Sequence, residues 1–286
     1  MSIRRAIFSR IFRRRELEFW FTVIGGIMII ALVLMSALAP YISPYDPTKS
    51  VGPSYCPPCE KFPLGTDKMG RDMLSRIIHG GRIALYIGIV AAFVSMAIGV
   101  PLGLISGYAG GTLDRILSLI MDSIYAFPGL VLAIIIAAML GPNVINVIIA
   151  IAIIYVPTFF RVTRGQVLSI REEVYVEAAR ALGAGSSTVL LRYIFPNVIP
   201  NIAVIMSLCI ADAILTEAGL TFIGLGPVVP PTPDWGYDLT VGRYVLGVGY
   251  WWIITFPGFM IFLAVLAFSL FGEGLNELLN PTLRER

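Results

Sequence analysis

The sequence predicts an all-α polytopic membrane protein with six transmembrane helices. Three observations carry this. The 286 residues are 57% hydrophobic and only 14% charged, against about 45–50% and about 25% in soluble globular domains. The mean hydropathy is +0.84. The apolar residues also gather in runs of roughly 20, the length that crosses a hydrocarbon core of about 30 Å. The same composition excludes disorder, which goes with few apolar residues and much charge. A net charge of +3, with Lys49, Lys61 and Lys68 the only lysines, gives nucleic acid no footing. Cys56, Cys59 and Cys209 are too few for a disulfide scaffold.

The spans follow in order. The run 19–39 carries no charge. Arg13, Arg14 and Arg15 precede it, and Ala37, Leu38 and Ala39 resemble a signal-peptide cleavage site. Its apolar stretch exceeds the ~7–15 residues of a signal core, and Pro40 would follow the cut bond, so it is read as a retained first span. The next are 83–107; 115–140, interrupted by Asp122; 144–163; 198–224, carrying Asp212 and Glu217; and 251–272. Arginines dominate one side: the basic terminus 1–18 (Arg4, Arg5, Arg10, Arg13, Arg14, Arg15), the segment between spans four and five (Arg161, Arg164, Arg171, Arg180, Arg192), and the terminus 273–286 (Arg284, Arg286). That side is expected to be cytoplasmic, with both termini inside. Segment 40–82 opposes the rule with Lys49, Lys61, Lys68, Arg71, Arg76 and Arg82, but Asp46, Glu60, Asp67 and Asp72 partly balance it. It is expected outside, as is 226–250.

Outer segment 40–82 begins Pro-rich (Pro40, Pro44, Pro47, Pro53, Pro57, Pro58, Pro63) and reads as extended loop. From Thr66 it changes: Thr66 or Asp67 is the expected cap of a helix with Met69, Met73, Leu74, Ile77 and Ile78 at helical spacing, lying along the membrane surface before span two. The cytoplasmic segment reads as a helical hairpin. Residues 166–182 form a helix ended by Gly183, Ala184 and Gly185. Ser186, Ser187 and Thr188 cap a second helix that Pro196 closes. A handle for a cytoplasmic partner and an interfacial helix that tidies a loop both fit this pattern.

The chemistry of an enzyme is missing from the sequence. No Gly-x-x-x-x-Gly-Lys-Ser/Thr loop, Gly-x-Ser-x-Gly elbow or His-Glu-x-x-His helix occurs. The single histidine, His79, cannot assemble a His-based metal site or triad and is read as a packing residue. Cys56 and Cys59 flank two prolines in the outer loop, where oxidising conditions favour a small disulfide staple over half a zinc site. Cys209 is an apolar filler in span five. Acids inside spans are costly and face a pathway or a partner. Asp122 sits near a span end beside Arg115. Asp212 and Glu217, five residues apart, project about 140° from each other and do not form one carboxylate pair. At least one of them is a candidate for the substrate pathway or gate.

Glu177, Ala178 and Ala179, then Gly183, Tyr193, Phe195 and Pro196, resemble the "EAA" loop of ABC-importer permeases. Tyr193 and Phe195 stand where the family pattern has Ile and Leu. Leu64-Gly65-Thr66-Asp67, Gly70-Arg71-Asp72, Gly80-Gly81-Arg82, Phe222-Ile223-Gly224-Leu225-Gly226, Pro230-Pro231-Thr232-Pro233-Asp234-Trp235-Gly236 and Thr255-Phe256-Pro257-Gly258 resemble the "C" permease subunit of dipeptide/oligopeptide (Dpp/Opp) importers. The likeness runs from about residue 19 to the C-terminus. The Cys56 and Cys59 pair is no part of that family pattern.

This resemblance implies a type I ABC importer permease in a prokaryotic plasma (inner) membrane: span 19–39, extracytoplasmic segment 40–82, and a five-helix core 83–272 enclosing the coupling loop 166–196. It implies a homologous second permease, two ABC ATPase subunits, and an extracytoplasmic binding protein that delivers di- or oligopeptides. ATP and Mg would sit on the ATPases, with no cofactor or metal in this chain. Glu177, Ala178, Ala179, Arg180 and Gly183 would couple to an ATPase. Pro101, Pro128, Pro157 and Pro257 are expected near the pathway, and 226–250, with Trp235, is expected to receive the binding protein or shape a vestibule. Oligosaccharides or nickel complexes are the alternative cargoes in the same class. A proton-coupled secondary transporter using Asp212 and Glu217 is the rival from another class, against which stands the lack of an internal repeat.

Overall fold

The computed structural model describes residues 2–227 and 231–279, with side chains from residue 19 onward. Pro230, Arg284, Arg286 and the N-terminal arginine side chains lie outside the described residues. The described chain is helical, and its β-type pairing is one isolated bridge, Thr66 to Asp72. The helices are α1 (Ser2–Ala37), α2 (Ala39–Ile42), α3 (Met73–Ala109), α4 (Gly111–Tyr125), α5 (Gly129–Leu140), α6 (Val144–Ile170), α7 (Val174–Ala181), α8 (Ser186–Thr188), α9 (Phe195–Phe222), α10 (Trp235–Val245) and α11 (Trp252–Leu279). Five helical stretches are long and apolar enough to span a membrane: Phe19–Ala37, Met73–Ala109, Val144–Ile170, Ser186–Phe222 and Trp252–Leu279. α4 and α5 make a sixth crossing if taken together, bent by 86° at their junction.

Three elements differ from expectation. Residues 115–140 are two helices because Pro128 disfavours helical backbone at Phe127 and itself has ψ 122°. The expected surface helix before span two is instead the first turns of the 37-residue α3. Its cap is neither Thr66 nor Asp67 but Asp72, whose carboxylate accepts from the Ser75 amide at 2.8 Å. Gly70, at φ +72°, turns the chain sharply just before it, so no helix can run through from residue 66. Lastly, α6 continues to Ile170, leaving the coupling helix only eight residues long. Pro196 does not close a second helix. A π-turn, Val189–Ile194, leads straight into α9, and its wider i→i+5 spacing suits a proline that lacks an N–H.

α9 is central, touching α3, α6, α10 and α11, while α1 lies outside against α11 and α3. α3 and α6 approach each other closely. Gly99, Gly103 and Gly107 recur every four residues on one α3 face. A Cβ on Gly99 would lie 2.6 Å from the Val156 carbonyl oxygen, and one on Gly103 would lie 2.7 Å from that of Phe160. This small-xxx-small seam lets two backbones meet where lipid offers no hydrophobic drive for helix pairing.

Candidate functional site

The coupling segment folds by its own local chemistry. α7 ends in a Schellman motif: the Ala184 amide donates to Ala179 O at 3.0 Å and the Gly183 amide to Arg180 O at 2.9 Å. The motif needs left-handed backbone, and Gly183 supplies it at φ +87°. Val176 and Ala179 turn inward and are buried, as is Val189 after the turn. Glu177, Ala178, Arg180 and Gly183 are exposed, and Val174 and Leu182 are 79% and 89% exposed. The inward side is tied to the end of α3. Arg171 Nη1 donates to Gly107 O at 2.9 Å, and the Arg180 guanidinium lies over the Tyr108 ring at 5.4 Å. Arg164 pairs with Asp114, which also accepts from Ser106 Oγ. Sequence reading missed this Arg164–Asp114–Ser106 tie, because the partners lie on three helices.

Asp212 and Glu217 do separate. Asp212 is exposed to an open cavity of about 540 Å³, where Cys209, Asp212 and Thr216 form one face of α9 and Tyr155 and Thr158 one face of α6. The remaining wall comes from the α4–α5 bend, through Tyr125, Phe127 and Gly129. Tyr155 Oη and Thr216 Oγ1 are 3.1 Å apart. Of the expected wall prolines, Pro128 lies at this bend, between α4 and α5. Asp122 pairs with Arg161 at 2.8 Å, both exposed, rather than with Arg115.

Glu217 is fully buried and faces the α10 cap instead. Its Oε1 accepts from Thr221 Oγ1 at 2.9 Å, and its carboxyl interacts with that of Asp234. Asp234 caps α10 through the Tyr237 amide at 2.8 Å. Glu217 Oε2 and Asp234 Oδ2 are buried with no donor reaching them. A proton held between the two carboxyls would satisfy both. Burial pushes the Asp234 carboxyl up to about 6, against the pull of the Tyr237 amide and with the push of Asp238. Beside them lies a buried ionic layer. Arg76 pairs with Asp238 at 2.6 Å and donates to Pro47 O at 3.1 Å and Pro231 O at 3.0 Å. Arg71 pairs with Asp67 at 2.6 Å. Trp235, wholly buried, donates to Ile77 O at 2.8 Å and rests on Gly80 and Gly81, where a Cβ would come within 2.8 Å of its ring. The stretch around Trp235 is thus a clamp on α3.

Cys56 and Cys59 lie side by side, with Sγ atoms 4.0 Å apart. Burial pushes the Cys56 thiol up, as does the hydrogen bond to Cys59. Cys209 is buried, and His79 bonds Ser75 O at 3.0 Å within its own helix. Among the described residues no cluster of His, Cys, Asp and Glu could hold a metal ion.

Long apolar helices carrying a short helix with an exposed face, and a cavity opening beside the central one, make up a polytopic membrane protein of the transport type. The chain belongs to the family described as the binding-protein-dependent transport system inner membrane component, whose family model matches residues 99–285. Residues 8–58 match the N-terminal transmembrane domain of oligopeptide transport permease C. A glutathione transport system permease protein, GsiD, of Pectobacterium atrosepticum is 40% identical over 96% of this chain and 91% of its own length. The di/tripeptide transport system permease protein DppC of Pseudomonas aeruginosa is 39% identical over 93% of this chain and 92% of its own. The dipeptide permease DppC of Haemophilus influenzae is also 39% identical, over 94% and 95%. Among solved structures, a chain of the inward-facing MetNI methionine ABC transporter shares the fold at a TM-score of 0.57 and 16% identity, covering 73% of this chain and 98% of that one. The chain is a permease of the peptide-type ABC importers, and its fold is that of type I importer permeases.

Proposed function

We propose that this permease imports di- or oligopeptides handed over by an extracytoplasmic binding protein, and that ATP acts on it through α7. The observation that carries the reading is the outward face of α7. Val174 and Leu182, the most exposed apolar residues of the segment, stand beside the exposed Glu177 and Arg180, an apolar patch with charges of both signs that suits a protein partner. The small exposed Ala178 allows close approach, and the Schellman turn at Gly183 gives a sharp exit. The inward face is pinned to α3 through Arg171 and Arg180, so force on α7 is passed to a transmembrane helix. In this reading ATP and Mg bind two partner ATPases, a homologous permease completes the pathway, the basic side with both termini is cytoplasmic, and the Trp235 clamp faces the binding protein. The relatives named for glutathione, di/tripeptide and dipeptide transport favour a peptide cargo over oligosaccharides or nickel complexes.

The test is purification of the chain from its native membranes in mild detergent, followed by mass spectrometry. Stoichiometric recovery of two ABC ATPases with a homologous permease is expected. Recovery of a homo-oligomer without ATPases would overturn the reading and favour a proton-coupled transporter.

A further inference from the structure

An uncompensated carboxylate marks the cavity beside α9. Asp212 lies within a membrane-spanning helix, about two-thirds of the way along α9, yet among the described residues no cation pairs with it and no donor bonds it. A lone intramembrane carboxylate is costly and implies a counter-charge. Arg161, three residues beyond the wall residue Thr158 on α6, is already held by Asp122 and by the Tyr125 ring at 4.1 Å. The cavity has the features of a small-molecule site: a volume of about 540 Å³, within the usual range of about 300–1,000 Å³, mostly apolar walls, and a few convergent polar groups. Those groups are Asp212 and the Tyr155–Thr216 hydroxyl pair. The Phe127 and Tyr155 rings on the same walls suit an organic cation, which ring faces attract.

We propose that this cavity transiently holds a cationic group of the cargo, a primary ammonium such as a peptide's N-terminus, with Asp212 as its counter-charge. The site favours the charged end of a passing solute without gripping it. One carboxylate in an open cavity gives attraction and easy release, which a conduit needs. The proposal rests on the import reading above, and its test is built to fail separately from it.

The test uses the assembled importer in membranes. Cys56, Cys59 and Cys209 are replaced by Ser, Ser and Ala, and one reporter is introduced, Thr158→Cys or, as a second, Leu132→Cys. Each reporter is modified with a trimethylammonium-ethyl and a sulfonatoethyl methanethiosulfonate, and the rate ratio is normalised to a free thiol in solution. A preference of about tenfold for the cationic reagent is expected, the scale on which a charged cleft enriches counter-ions. Asp212→Asn should abolish it, and Asp212→Glu should keep it. Dipeptide uptake should fall by a similar factor in Asp212→Asn alone. A ratio near one with Asp212 intact would mean that a cation of the partner permease neutralises it, and would overturn the proposal. Unchanged uptake in Asp212→Asn would overturn it too. Absence of ATP-dependent uptake in the wild type would fail the import reading, while the labelling ratio would still decide the charge preference of the cavity.

Discussion

Arg76 and Asp238, 162 residues apart in sequence, meet in a buried ion pair with Nη2 to Oδ1 at 2.6 Å and Nε to Oδ1 at 3.0 Å. The pair joins the first turns of α3 to α10, and the Nη1 hydrogens reach Pro47 O and Pro231 O. One arginine therefore gathers two loops and α10 onto a spanning helix. Breaking one partner of a buried pair costs about 3–5 kcal/mol, because the other charge is left stranded. Arg76→Met and Asp238→Leu should each lower the thermal midpoint in detergent by several degrees. The double variant should recover part of that loss, since an apolar pair strands no charge. An additive loss in the double variant would show that the ion pair is not what holds α10.

Asp234 gives the α10 end of the molecule a pH dependence. Its folded-state value, about 6, lies above the ordinary 3.8, so the folded protein holds this proton more tightly than the unfolded chain. The stabilisation is fully present below about pH 4 and is lost as pH rises through 6. Thermal stability of the purified protein should fall between pH 5 and pH 7.5. Asp234→Asn, which keeps a capping side chain, should flatten that slope. An equally steep slope in the variant would place the titration elsewhere.

The α3–α6 seam predicts a size limit. A Cβ on Gly103 would meet the Phe160 carbonyl oxygen at 2.7 Å and Thr163 Cβ at 2.8 Å, backbone and branch-point atoms that cannot swing away. Gly103→Leu should force the helices apart, at the roughly 1–3 kcal/mol of an overpacked core or more. Gly165, on α6 with open space around it, should accept Ala with a gain of up to about 1 kcal/mol in helix propensity. Equal melting temperatures for the two variants would refute the seam.

Much of this architecture is legible in the sequence because its signals are local. Apolar runs gave the spans, and Gly183 marked the end of α7. The separation of Asp212 from Glu217 follows from helical spacing alone. What was not legible depends on tertiary partners. Nothing local says that Glu217 meets Asp234, or that Arg76 finds Asp238 beneath Trp235, since each partner lies on another element. The break at Phe127 and Pro128 was half visible. Proline is common enough in membrane helices that only the 86° bend distinguishes it from the tolerated Pro101, Pro157 and Pro257, which lie inside unbroken helices.

The coupling reading makes the last prediction. Glu177 is exposed on α7 and among the described residues no ion pair or side-chain hydrogen bond holds it, so Glu177→Arg should leave insertion and thermal stability unchanged. Gly183 differs, since its φ of +87° makes any side chain there strained by about 1–2 kcal/mol. Gly183→Arg should therefore both loosen α7 and obstruct its face. In the reconstituted complex, either variant should lower peptide uptake by about 5–150-fold, the usual span of a coupling free energy, while ATP is still hydrolysed. Insertion is checked by labelling Cys59 from outside, and uptake and ATPase rates are measured in the same vesicles. Full transport by Glu177→Arg would remove α7 from the path by which energy reaches the helices. Loss of both activities with intact insertion would mean that α7 holds the ATPase in place rather than transmitting its motion.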